Sequence, residues 1–255
     1  MTKNRNKAPA SAKRCRLVLV AGAHTLAALH AAGGARAGEG LAAVLAAGDV
    51  ASLVLSPRGA EAKLDEAPFQ ALAEPLVAPA QAAGVAVMVE EHTRVAGRIG
   101  ADGVQLGQDP DALADAMEGL GRSMMVAAGN VRSRHTALVL GESQPDYLMF
   151  GRPGGDTRPE PHPKNLELGA WWATMVEIPC IVLAGSDPAS ALAVANTGAE
   201  FVAMERAVFA APEGATMSPD PSAIDAMVRR AAEAVARIDG LLEAEAPRFE
   251  DDAAR

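Results

Sequence analysis

Eight short apolar runs, each set off by segments of helical length, predict an α/β chain folded as one (β/α)8 TIM barrel. One phrase also recurs along the chain. Gly100-Ala-Asp-Gly103 leads into Val104-Gln-Leu106, Asn196-Thr-Gly-Ala-Glu200 leads into Phe201-Val-Ala-Met204, and Gln144-Pro-Asp146 leads into Tyr147-Leu-Met-Phe150 in weaker form. The length of 255 residues suits a fold that typically takes roughly 250. No linker divides the middle of the chain. A six-stranded open sheet is the alternative topology.

The predicted strands, in order, are Arg16–Val20, Ala51–Leu55, Val85–Val89, Gly103–Leu106, Met124–Ala127, Tyr147–Phe150, Cys180–Leu183 and Phe201–Met204. They are nearly continuous apolar runs rather than alternating ones, as strands buried on both faces should be. Between them, Gly40–Ala47, Pro68–Ala83, Asp111–Gly119, Ser133–Leu140, Leu166–Val176 and Asp187–Thr197 read as helices, and Ser222–Leu242 as a long closing helix. Ser186-Asp187-Pro188 is a cap followed by proline in the first helical turn. Gly84, Gly100 and Gly198 stand where helix C-caps belong. Ala21–Gly40, rich in Gly and Ala, has poor helical periodicity and reads either as a first helix with a loop or as a flexible segment.

Composition narrows the function classes. Apolar residues make up 49% of the chain and aromatic ones 3%, so Ala, Val and Leu build the core. A net charge of −9 argues against nucleic acid or an anionic membrane as a partner. Cys15 and Cys180 each border an apolar run and read as buried free thiols, not a disulfide framework. No apolar run approaches the ~20 residues that span a bilayer. The basic start lacks the apolar segment of a secretory signal. The expected layout is a disordered basic tail over 1–14, a barrel over 15–243 and an acidic tail over 244–255, in a cytoplasmic protein; a homo-oligomer stays open.

At the strand ends, Gly100-Ala-Asp-Gly-Val-Gln-Leu-Gly-Gln108 resembles the Gly-Ala-Asp-Gly-Val-His-Leu-Gly-Gln segment of thiamine phosphate synthases and their TenI-type relatives, which are phosphate-binding (β/α)8 barrels. The order of phrases is similar from about Cys15 to Phe209. Val85–Val89 followed by Glu90-Glu91 resembles a strand ending in Val-Asn-Asp. Asp146–Gly151 resembles one ending in Gly-Pro. Ala184-Gly185 stands at a Gly-Gly-Ile, and Gly198–Met204 resembles the eighth strand.

The resemblance implies a transferase joining an aminopyrimidine methyl diphosphate to a thiazole phosphate, with Mg²⁺ on the diphosphate. Such a dissociative displacement asks for leaving-group neutralisation and positioning more than for a general base. By resemblance, Glu91 with Asp109 and Asp111 would hold the metal. Arg58 and Arg158 would clamp the diphosphate. Glu90, Gln105, Gln108, Asn130, Arg152, Gly185 and Arg206 would contact substrate or phosphate. The partners implied are small phosphorylated heterocycles.

Several family positions differ here. The Gln-x-Arg-x-Lys after the second strand is Ser56-Pro-Arg58, with one basic residue left. The Ser-x-His-Thr segment is Ala128-Gly-Asn130-Val131. The Pro-Thr-x-Thr-Lys loop is Arg152-Pro-Gly-Gly-Asp-Thr-Arg158, and Glu205-Arg206 replaces a small Ile-Ser pair. Residues 152–164 read either as a closing loop or as a tolerant surface insertion. His92, His135 and His162 read as solvated, and Trp171-Trp172 as packing. Two other functions stay open: a TenI-like paralogue that binds or isomerises a thiazole phosphate, and a non-catalytic barrel working through partner contacts.

Overall fold

Strands and helices follow one another in the computed structural model, which describes residues 14–59, 63–210 and 221–249. The first half holds β1 (Arg16–Ala21), α1 (Ala23–Ala31), α2 (Gly34–Leu45), β2 (Val50–Leu55), α3 (Glu66–Ala82), β3 (Ala86–Glu90), α4 (Thr93–Ile99), β4 (Gly103–Leu106) and α5 (Pro110–Leu120). The second half holds β5 (Met125–Val131), α6 (Arg134–Gly141), β6 (Leu148–Phe150), α7 (Pro163–Met175), β7 (Cys180–Leu183), α8 (Ser190–Ala195), β8 (Phe201–Met204), α9 (Arg206–Phe209) and α10 (Pro221–Glu245). The strands close in sequence order, and β8 returns to pair with β1 in parallel. The expected barrel is present, and the open sheet is excluded.

Alternate residues of each strand face two separate apolar layers. Val18, Val20, Val54, Met88, Ala127, Met149, Ile181, Leu183 and Ala203 fill the barrel. Leu17, Leu19, Leu53, Leu55, Val87 and Val89 pack outward against the helices. Burial on both faces explains why the strands read as unbroken apolar runs. Gly103 has room for nothing larger, since a Cβ there would stand 2.7 Å from the Met88 methyl and 2.6 Å from the Met125 carbonyl.

The recurring acidic phrase has a physical role at the floor of the barrel. Asp102 accepts the Val87 N–H at 2.7 Å, Asp146 the Val126 N–H at 2.7 Å, and Glu200 the Cys180 N–H at 2.9 Å. In each case the acid ahead of one strand satisfies an amide of the strand before it, which fixes their register.

Several expectations change in detail. Ala21–Gly40 is helical almost throughout: α1 and α2 are separated at Gly33, whose φ of +86° breaks the run. The expected Gly40–Ala47 helix is the latter part of α2. Pro75 and Pro79 lie inside α3 without ending it; a Cβ on Gly38 would come within 2.7 Å of Pro79, so α2 and α3 meet closely there. The helix expected over Asp187–Thr197 shrinks to α8. His92 is only half exposed; its ring lies 5.4 Å from that of Phe69, and its Nε2 is buried with no partner among the described residues. His135 and His162 are exposed, and His162 accepts the Lys164 N–H at 3.2 Å at the start of α7.

Trp172 is buried, donates its indole N–H to the Ile178 carbonyl at 2.7 Å and meets Phe150 edge-on. Cys15 and Cys180 are free and buried. Arg14 is buried against Asp239 and Glu243 of α10, tying the start of the barrel to its last helix. Residues 1–13 and 250–255, most of the expected tails, lie outside the described residues.

Candidate active site

Parallel closure sends every strand's C-terminal end to one rim, where the connecting loops converge. At that rim β2 and β3 carry a charged cluster. Glu90, the last residue of β3, is 2% exposed. Its carboxylate accepts from the Ser56 hydroxyl and from Arg58 Nε at 3.0 Å. Glu91 follows in a left-handed conformation, φ 65°, which non-glycine residues adopt rarely and chiefly where the surroundings enforce it. Both oxygens of Glu91 are engaged, one by Arg58 and the other by Lys63. Burial pulls the Arg58 pKa down, but the two carboxylates outweigh it and the guanidinium is held above its ordinary value.

Gln105 is the register partner of Glu90 on β4. It is fully buried inside the barrel, where its Oε1 accepts from the Tyr147 hydroxyl at 3.0 Å. Burial pushes the Tyr147 phenol well above its ordinary pKa, and the Glu90 charge adds to that. Gln105 Nε2 has no partner among the described residues. A Cβ on Gly129 would stand 2.5 Å from that nitrogen, so the bare backbone of β5 makes room for the amide.

The loops after β4, β5 and β6 contribute polar groups with local partners. Asp109 caps α5, accepting from the N–H groups of Asp111 and Ala112, and Gln108, Asp109 and Asp111 are exposed. Asn130, with φ 58°, accepts from Arg132 at 3.1 Å. After β6 the Asp156 carboxylate gathers the Arg152 N–H at 3.2 Å and the Asn165 amide at 2.9 Å. The Arg152 and Arg158 side chains are exposed and make no ion pair among the described residues.

The loop over 152–164 folds down onto the end of β7. The Ser186 N–H donates to the Arg158 carbonyl at 2.8 Å and the Asp187 N–H to the Pro159 carbonyl at 3.1 Å. The Gly185 N–H donates to Ser190 Oγ at 3.0 Å. Gly185 cannot be enlarged without moving the loop, since a Cβ would lie 1.9 Å from the Pro159 oxygen. Across the rim, Glu205 accepts the Gly154 N–H at 2.7 Å, and burial raises its pKa.

Arg58, Glu90 and Glu91 thus meet directly, and Gln105 stands beside Glu90. Asp109 and Asp111 do not join them: among the described residues no three or more His, Cys, Asp or Glu side chains converge on a cation position. Lys63 and Tyr147 are cluster members that the motifs did not point to. Lys63 lies past the position of the family's lysine, and Tyr147 stands just ahead of β6, where only the need of a buried phenol for a partner marks it.

A closed parallel barrel with paired Arg, Lys and Glu side chains at its C-terminal rim places the chain in the (β/α)8 class, which gathers its polar groups at that end. Residues 21–208 match the thiamine monophosphate synthase family, and the chain belongs to that family. It is 35% identical over 157 residues to the thiamine-phosphate synthase of Erythrobacter litoralis, spanning 60% of this chain and 74% of that one. Identity to the enzyme of Hyphomonas neptunium is 33% over 177 residues, spanning 69% and 80%. The thiamine phosphate pyrophosphorylase of Pyrococcus furiosus superposes with a TM-score of 0.61 at 19% identity, over 88% of this chain and 96% of that one. That last likeness speaks to the barrel itself. No helix among the described residues is long and apolar enough to cross a membrane.

Proposed function

We propose that the chain condenses an aminopyrimidine methyl diphosphate with a thiazole phosphate, giving thiamine phosphate and pyrophosphate. The observation that carries this reading is the family match over 21–208, which takes in every strand end from β1 to β8. In the reaction the thiazole nitrogen forms a bond to the methylene carbon as the bond from that carbon to the diphosphate oxygen breaks. The protein's part is to hold the two rings in line and to offset the charge leaving with the diphosphate.

Arg58 and Lys63 are the cations proposed to meet that charge, exchanging Glu90 and Glu91 for the diphosphate as it binds, and Arg158 and Arg152 stand exposed on the loop after β6. Arginine can grip a phosphate through two N–H groups at once. Glu90 and Gln105, both buried, are the polar groups inside the barrel proposed to meet a ring. Asn130, Gln108, Gly185 and Arg206 complete the proposed contacts. The Mg²⁺ implied by the resemblance does not fit the acids as they stand: Glu91 is neutralised by Arg58 and Lys63, and Asp109 is engaged in its helix cap.

The second reading, a paralogue that binds a thiazole phosphate without condensing it, is supported by the diphosphate side, where Ser56-Pro-Arg58 keeps a single basic residue and that residue is paired with Glu90 and Glu91. Incubation with both substrates and Mg²⁺, followed by chromatography for thiamine phosphate, separates the two. Product formed by the unaltered chain that falls at least about tenfold in Arg58→Ala supports condensation. No product from a folded chain that binds the thiazole phosphate supports the paralogue.

A further inference from the structure

β2 and β6 stand four steps apart in the closed ring of eight strands, on opposite sides of its mouth. The loop that leaves β6 nevertheless comes alongside the residues after β2. A Cβ added to Gly154 would stand 3.5 Å from the Gly59 oxygen and 3.8 Å from the Arg58 Cβ. A chain running between those points crosses the mouth. Pro153 is buried on the way, and Glu205, just past the end of β8, accepts the Gly154 N–H at 2.7 Å. The loop then lies on the end of β7 through the Arg158 and Pro159 carbonyls.

Polar groups are sealed beneath it. Ser56 and Glu90, at the mouth ends of β2 and β3, are buried, as is Gln105 beside Glu90. Gln105 Nε2 has no partner among the described residues. Buried polar groups are ordinarily satisfied, and an opening that let in water or a ligand would supply the missing acceptor. The loop is built to move. Gly151 and Gly154 have φ of +110° and +75°, which glycine adopts without penalty. The buried Pro161 anchors the far end ahead of α7. Between those points the holds on the barrel are hydrogen bonds to Glu205, Ser186 and Asp187, few enough for local opening.

We propose that residues 152–160 are a lid, latched across the barrel mouth in the free chain by Glu205, whose opening admits a ring-bearing ligand to Ser56, Glu90 and Gln105. The nature of that ligand rests on the condensation reading; the lid and its latch do not. Glu205 is a positioning residue, since it touches the lid and not the reacting atoms. The latch is particular to this chain, because Glu205-Arg206 stands where the family it resembles has a small Ile-Ser pair.

A thiol placed under the lid tests this. In the full chain carrying Ser56→Cys, labelling by a thiol reagent should be slow. Glu205→Ala should speed it about tenfold, as for a local opening that no longer breaks a hydrogen bond to a carboxylate. Glu205→Gln keeps an acceptor for the Gly154 N–H and should stay close to the parent rate. Cys15 and Cys180, buried where β1 and β7 begin, should stay unlabelled throughout, which separates lid opening from unfolding. Glu167→Ala, at an exposed position on α7, should change nothing. Hydrogen exchange at Gly154, Ser186 and Asp187, in chains without the added cysteine, gives the same comparison should Ser56→Cys fail to fold. Labelling as fast as a free thiol before any change at Glu205, no acceleration in Glu205→Ala, equal acceleration in Glu205→Gln, or parallel labelling of Cys15 and Cys180 would each overturn the lid. Failure to form thiamine phosphate while the expected pattern holds would reject the condensation reading alone.

Discussion

Arg58→Ala is the most searching perturbation of the rim cluster. It removes the 3.0 Å bond from Arg58 Nε to Glu90 and the ion pair to Glu91. Glu91 keeps Lys63 and is partly solvated, so its loss is small. Glu90, whose side chain is 3% exposed, would keep only the Ser56 hydroxyl. Removing one partner of a buried pair typically costs about 3–5 kcal/mol. Arg58 is 21% exposed, and water can partly replace it, so the lower end, about 3 kcal/mol, is expected. For a chain of this size that corresponds to a fall in Tm of about 6–12 °C. Urea unfolding followed by circular dichroism would measure the change. Adding Glu90→Gln to Arg58→Ala should recover about 2 kcal/mol, because a neutral amide can still accept from Ser56 and no longer needs a counter-ion. A loss below about 1 kcal/mol, or no recovery in the double variant, would refute the claim that Arg58 is what makes the Glu90 carboxylate tolerable there.

Glu205 should make stability depend on pH. Its pKa in the folded chain lies above the ordinary 4.5, so the folded state binds more protons, and stability falls as pH rises from that value through the raised one. Unfolding measured between about pH 4 and 7 should show this component disappearing in Glu205→Gln; identical pH profiles would contradict it. Gly185→Ala should push the 152–164 loop off β7, since the new Cβ would lie 1.9 Å from the Pro159 oxygen. Faster proteolysis within the loop and loss of hydrogen-exchange protection at Ser186 and Asp187 are the expected readouts, and unchanged protection would count against the docking. Burial pushes Cys15 up to about 12 and Cys180 higher still. Neither thiol should react with a thiol reagent in the native chain, and both should on unfolding; rapid native labelling would contradict their burial.

The barrel was legible because double-sided burial leaves its mark on composition: Leu17–Ala21 or Val87–Val89 has no polar residue to mistake for a surface. Glycines at helix ends were legible for a similar local reason, and Gly84, Gly100 and Gly198 all carry the positive φ that a left-handed cap requires. The Ala21–Gly40 segment was not, because small residues give a helix little apolar contrast. Its packing against α3 and α10, as where Gly40 meets Val228, is tertiary information. At the site, Glu90 and Arg58 could be singled out from motif position, but their mutual neutralisation could not. Lys63 reaches Glu91 from its backbone pairing with Arg58, a contact that local sequence does not specify. Glu205 owes its place to the closure of the ring, which sets it across the rim from Gly154.

The acids at the barrel floor have a consequence for how this chain can change over time. Asp102, Asp146 and Glu200 each knit two adjacent strands into a unit: β3 with β4, β5 with β6, and β7 with β8. Alignment of those strands is thereby secured from the end opposite the chemistry. Loop residues at the working face can then be exchanged, lengthened or reversed in charge without the strands slipping past one another. A lineage built this way can lose a lysine here and gain a glutamate there while its scaffold stays in place.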